Sequence, residues 1–96
     1  MNTTEAREIL GVELAKHREL SYEQLCTLID EPKHFDLTGA SGVRYQVEAL
    51  ALWDWKPREN VRVMVCIDDG GWRAWAPLCA SFIKAPDGSC VGEKPR

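Results

Sequence analysis

A chain of 96 residues, 45% hydrophobic and 28% charged, can enclose one small core and not two, because a domain of this size buries somewhat under about 70% of its unfolded surface. Its net charge of −3 and pI near 5.3 count against a dedicated nucleic-acid binder, which presents a basic face. The N-terminal Met-Asn-Thr-Thr-Glu-Ala-Arg-Glu has no apolar h-region, and no apolar run nears the ~20 residues that span a bilayer, so a cytoplasmic protein without membrane association is expected.

In chain order, residues 3 to 20 read as a first helix. Ala6, Ile9, Leu10, Leu14 and His17 fall on one face at i, i+3, i+4 spacing, and Asn2 with Glu5 has the form of a capping box. Gly11 costs such a helix about 1 kcal/mol relative to Ala; it marks either a close contact with the sheet or a tolerated defect. A second, shorter helix starts at Ser21, where Ser21-Tyr22-Glu23-Gln24 is a capping box and Leu20 and Leu25 occupy the positions of a hydrophobic staple. Leu25, Leu28 and Ile29 form its buried side, and Pro32 ends it, since the residue before a proline avoids the α region.

The remainder reads as β. Phe35 and Leu37 lie in a short first strand, 39–42 is a turn, and Val43 to Asp54 is a long second strand. After a loop through Asn60, Val61, Val63, Val65 and Ile67 alternate with more polar residues. Asp68-Asp69-Gly70-Gly71 follows as a tight turn requiring φ > 0 at its centre, and Trp72 opens a return strand that Pro77 ends. Phe82 and Ile83 suggest a fifth short strand, Pro86-Asp87-Gly88 a turn, and residues 92–96 a frayed end. No linker or repeat divides the chain, so 1–96 is expected to be a single α+β domain: two N-terminal helices packed on an antiparallel β-meander of four to five strands.

Side-chain parity assigns faces. An odd number of residues in the 54–60 loop places Tyr45, Val47, Ala49, Ala51 and Trp53 with Val63, Val65 and Ile67 under the helices. Phe35 and Leu37 join them only if the turn near 39–42 is also odd or bulged. A two- or four-residue Asp-Asp-Gly-Gly turn would add Trp72, Ala74 and Ala76 to this face. The opposite face then gathers Leu50, Leu52 and Met64 with Arg62, Arg73 and Trp75, and it also carries Cys66. A sheet with one solvated face alternates more cleanly than this. The patch is therefore covered either by the C-terminal segment, through Phe82 or Ile83, or by another chain, and the second is favoured.

Ser21 to Leu25, Gly42 to Glu48, Ile67-Asp68-Asp69-Gly70-Gly71-Trp72-Arg73-Ala74 and Ala85-Pro86-Asp87-Gly88-Ser89 together resemble a family of small bacterial proteins of unknown function, over roughly residues 20 to 93. The resemblance implies no activity, substrate or site.

Residue chemistry narrows the function classes. Cys26, Cys66, Cys79 and Cys90 show no close pair and no CxxC, so they are expected to be free thiols acting as small hydrophobes, rather than zinc ligands or a disulfide. Asp68 and Asp69 are carboxylates of the kind that bind a hard cation or divide acid and base roles, but Asp before Gly-Gly is also ordinary turn chemistry. His17 closes the stripe of the first helix, His34 starts a strand, and no nucleophile motif is present. Trp53, Trp55, Trp72 and Trp75 near Arg44, Arg58, Arg62 and Arg73 have the composition of an interface or of a base-stacking surface, and equally of a small domain's core. The leading expectation is a non-enzymatic protein-interaction module, with a homodimer as its simplest form, using Leu50, Leu52, Arg62, Met64, Arg73 and Trp75. No cofactor or metal is expected. The alternative is a small-molecule or weakly catalytic site between sheet and helices that uses His34, Asp68 or Asp69.

Overall fold

In a computed structural model describing residues 2–71 and 77–92, the expected α+β architecture is present. Helices α1 (Thr3–Arg18) and α2 (Tyr22–Asp30) precede five strands, β1 (Lys33–Thr38), β2 (Arg44–Trp53), β3 (Val61–Asp68), β4 (Leu78–Lys84) and β5 (Cys90–Val91). The strands form one antiparallel sheet in sequential order, a meander.

The helices begin where their caps dictate. The Asn2 side chain accepts from the Glu5 N–H at 3.1 Å. The Glu5 carboxylate, expected to complete a capping box, turns to Ser41 and Tyr45 instead. At α2 the box is complete: Ser21 Oγ accepts from the Gln24 N–H at 3.1 Å, and Gln24 Oε1 accepts from the Ser21 N–H at 2.9 Å. α1 packs over β3 and β4, and α2 over β2 and β3. The core is one cluster in which Ala6, Leu10, Leu25 and Leu28 meet the odd-numbered residues of β2 and β3 and Phe82 of β4. Ile9 and Leu14 sit at its margin. Gly11 is exposed, and a Cβ there would meet nothing within 4 Å, so it marks no close approach to the sheet.

Register follows from the parity of each connection, and the first turn is one residue longer than the expected 39–42. Trp53 pairs with Val61 across residues 54–60, an odd loop, so Tyr45, Val47, Ala49 and Ala51 share the core face with Val63, Val65 and Ile67. Thr38 pairs with Arg44, so the first turn spans residues 39–43 and is odd too, which puts Phe35 and Leu37 on the core side. Leu37 packs against the core, while Phe35 remains 37% exposed at the sheet margin.

The return strand departs from expectation. Ile67 pairs with Leu78, so β4 begins after Pro77 instead of ending at it. The turn chemistry explains the shift. Asp68 Oδ1 accepts from the Gly70 N–H at 2.7 Å and Asp69 Oδ1 from the Gly71 N–H at 3.1 Å, with Gly70 at φ +79°. These two consecutive Asx turns cap their own backbone and start a longer connection, not a two-residue hairpin. Leu78, Ala80 and Phe82 take the core-side positions assigned to Trp72, Ala74 and Ala76, which lie outside the described residues. Phe82 and Ile83, read as a fifth strand, belong to the fourth and point to opposite faces; the fifth strand is Cys90–Val91.

Candidate functional site

The sheet face away from the helices carries two chemically different regions. At the end nearer the 54–60 loop, Leu50 pairs with Met64, Leu52 with Arg62, and Arg62 in turn with Ile83, which pairs with Val91. Four of the six residues expected to form an interaction surface, Leu50, Leu52, Arg62 and Met64, are thus brought together. Arg73 and Trp75 lie outside the described residues. Leu52 is 43% exposed and Val91 40%, so the helices do not cover this side. Phe82 does not fold onto the patch; it is buried under the helices, and Ile83 extends the patch within the plane of the sheet. Arg62 Nε and Nη2 both donate to Asp54 Oδ1, at 3.1 and 2.9 Å, which neutralises the guanidinium within the chain.

At the other end the face is polar. One register row crosses four strands: His34 opposite Glu48, Glu48 opposite Cys66, Cys66 opposite Cys79. His34 Nε2 lies 3.2 Å from Glu48 Oε2, and Cys66 and Cys79 are joined in a disulfide with Cα atoms 4.1 Å apart. This corrects the expectation of four free thiols. Residues thirteen apart in sequence reveal no pairing until the register is known, and with β4 starting at Leu78 the register sets them directly opposite each other. Cys26 and Cys90 are free and half-buried, as expected. A groove of about 660 Å³ adjoins the disulfide, and His34, Glu48, Cys66, Asp68 and Pro77 are among the residues lining it. His34 and Asp68 therefore do share a concavity, on the solvent side of the sheet and not between sheet and helices. Asp69 lines a separate, smaller depression beside Tyr45, and the Gly71 N–H holds its carboxyl below the usual range.

Two polar clusters escaped the sequence reading. Tyr45, fully buried, donates from its hydroxyl to Glu5 Oε1 at 2.8 Å; Ser41 donates to the same carboxylate from Oγ at 2.6 Å and from its N–H at 2.9 Å. The Ser41 hydroxyl first, then Tyr45, lowers the pKa of Glu5. Burial first, then the adjacent carboxylate, pushes Tyr45 up to about 12. Lys84, only 6% exposed, donates from Nζ to the carbonyls of Arg18 and Leu20 at the end of α1, where a cation offsets the helix dipole. His17 is buried at the core edge, its Nδ1–H donating to the Glu13 carbonyl at 2.7 Å. Both clusters join residues far apart in sequence, and no local pattern signals such pairs.

Among the described residues, no group of three or more His, Cys, Asp or Glu side chains is arranged to hold a metal. Trp55 is 81% exposed on the 54–60 loop and Trp53 half-buried. Arg44 and Arg62, however, pair with Asp36 and Asp54, which weakens a base-stacking reading that needs free cations. No helix of the described residues is long and apolar enough to cross a membrane. No protein-family model, curated protein or solved structure matches the chain.

Proposed function

We propose that this domain is a non-enzymatic interaction module that pairs with a second copy of itself through the outer sheet face, within the cytoplasm. The observation that carries this reading is the apolar surface of Leu50, Leu52, Met64, Ile83 and Val91, in which the one cation among the described residues, Arg62, is already satisfied by Asp54 of the same chain. A two-fold interface sets like against like, so an uncompensated charge at its centre would repel its own copy. A patch neutral in itself suits a second copy better than a charged partner, which would gain nothing from a guanidinium already bound. The small bacterial family that the chain resembles is its proposed kin and adds no activity to this reading.

The test is mass by light scattering over a range of concentrations, for wild type and for Leu52→Glu with Met64→Glu. The expected result is a dimeric wild type and a monomeric variant with an unchanged circular dichroism spectrum. Two carboxylates on each copy would then face each other across the axis. A wild type monomeric at every concentration, or a variant that dimerises equally well, overturns the proposal.

A further inference from the structure

The disulfide lies outside the apolar patch and is not used by the proposed association. We infer that Cys66–Cys79 is a reversible thiol–disulfide exchange site, open to small thiols, at which the incoming thiol attacks Cys79. Three observations point this way. First, access is unequal. Cys79 is exposed, whereas Cys66 is 9% exposed. An incoming thiolate must approach along the S–S axis at the sulfur it attacks, and exchange depends on that access. Second, the departing sulfur has room, since Cys66 forms part of the wall of the groove that also holds His34, Glu48 and Asp68, on the side of the bond away from the attack. Third, the fold does not hang on the bond. β3 and β4 are held in register by seven residue pairs from Val61–Lys84 to Ile67–Leu78, and the disulfide joins one of them, Cys66–Cys79. Opening it leaves the other pairs and the core beneath them in place, so both oxidation states can share one fold.

The exchange runs in two balanced steps. A thiolate attacks Cys79 Sγ, a mixed disulfide forms there, and Cys66 leaves as a thiolate that takes a proton from solvent. A second small thiolate then attacks the small-molecule sulfur of the mixed disulfide. The two small thiols leave joined as their disulfide, and Cys79 is released and protonated. Two thiols are oxidised and one protein disulfide is reduced. Glu48 lies opposite Cys66 in the register, so its carboxylate opposes the negative charge that develops on the departing Cys66 sulfur, and its pairing with His34 moderates that opposition. The two remaining cysteines do not interfere. Cys26 and Cys90 pack against the core on the helix side, with the sheet between them and this bond.

The inference is tested with reduced and oxidised glutathione as the probe. Native protein is equilibrated in buffers of graded ratio, quenched with an alkylating reagent, and mapped by peptide mass spectrometry. Cys66 and Cys79 should gain label together, with the circular dichroism spectrum unchanged. In single variants treated with oxidised glutathione, Cys66→Ser should accumulate an adduct on Cys79 several-fold faster than Cys79→Ser accumulates one on Cys66. Glu48→Gln should speed reduction of the otherwise native protein several-fold. The variant Cys66→Ala with Cys79→Ala should fold. The inference is overturned by labelling that requires denaturant, by adduct formation at equal rates, by a Glu48→Gln rate equal to that of wild type, or by a double variant that does not fold. Labelling that needs denaturant, or failure of the double variant, would mark the bond as a structural staple of the kind found in oxidising compartments.

Discussion

Glu5 illustrates how one side chain acquires several duties. It occupies the first turn of α1, where a carboxylate complements the helix dipole, and it also gathers the Ser41 and Tyr45 donors of the β1–β2 region. Its acidity has a predictable consequence. The folded pKa lies below the ordinary value of 4.5 because Ser41 and Tyr45 stabilise the charged form. The resulting stability is complete above that ordinary value and is lost as pH falls through the lowered folded one. Glu5→Gln should therefore lower the melting temperature at neutral pH. The gap between variant and wild type should close as pH drops below 4.5. Thermal denaturation at pH values on either side of that point measures it, and a gap that does not change with pH would show that the carboxylate's charge is irrelevant to the contact. Gly39 belongs to the same arrangement: a Cβ there would overlap Glu5 Oε1, so a larger residue would push the carboxylate aside.

The helices show where local signals suffice. α2 was legible down to its first residue because a capping box involves neighbours only, and both its hydrogen bonds are present. Ser21→Ala should cost about 1 kcal/mol, measurable by urea denaturation. Within α1, Gly11 is exposed and without close neighbours, so Gly11→Ala should stabilise by about 1 kcal/mol; a destabilised variant would point to a contact the fold does not show. The hairpin after β3 shows the opposite case. Asp-Asp-Gly-Gly signals a turn without stating its length, because the same carboxylates that favour a tight hairpin also favour successive Asx turns. Misplacing β4 by that margin changed which residues face Ile67 and hid the partner of Cys66. The outer apolar patch remained legible because it depends on the 54–60 loop, whose parity was assigned correctly.

At the scale of the molecule, the described residues form one sheet with both helices on a single side, and this sets how it can associate. Its free face is apolar at one end and carries the His34–Glu48–Cys66–Cys79 row at the other, so a dimer formed through the first region need not obstruct the second. Because Arg62 is neutralised within its own chain, the proposed dimer should depend little on ionic strength, since screening acts on charges that attract across an interface. Light scattering from low salt to about 1 M, where the screening length is about 3 Å, should give the same mass throughout. Dissociation on adding salt would mean that ion pairs between copies hold it.

The reach of Lys84 also bears on how the protein is made. The end of α1 finds a cation for its carbonyls 66 residues further along the chain, and α1 packs on β4. On a ribosome that supplies about 5–20 residues per second, the first helix emerges seconds before the strand that completes its setting. The apolar side of the α1 segment that packs on β4 therefore stays uncovered until β4 has been made. Folding of this domain is in that sense the closing of an early helix onto a late strand, and its most vulnerable interval falls before β4 has been made.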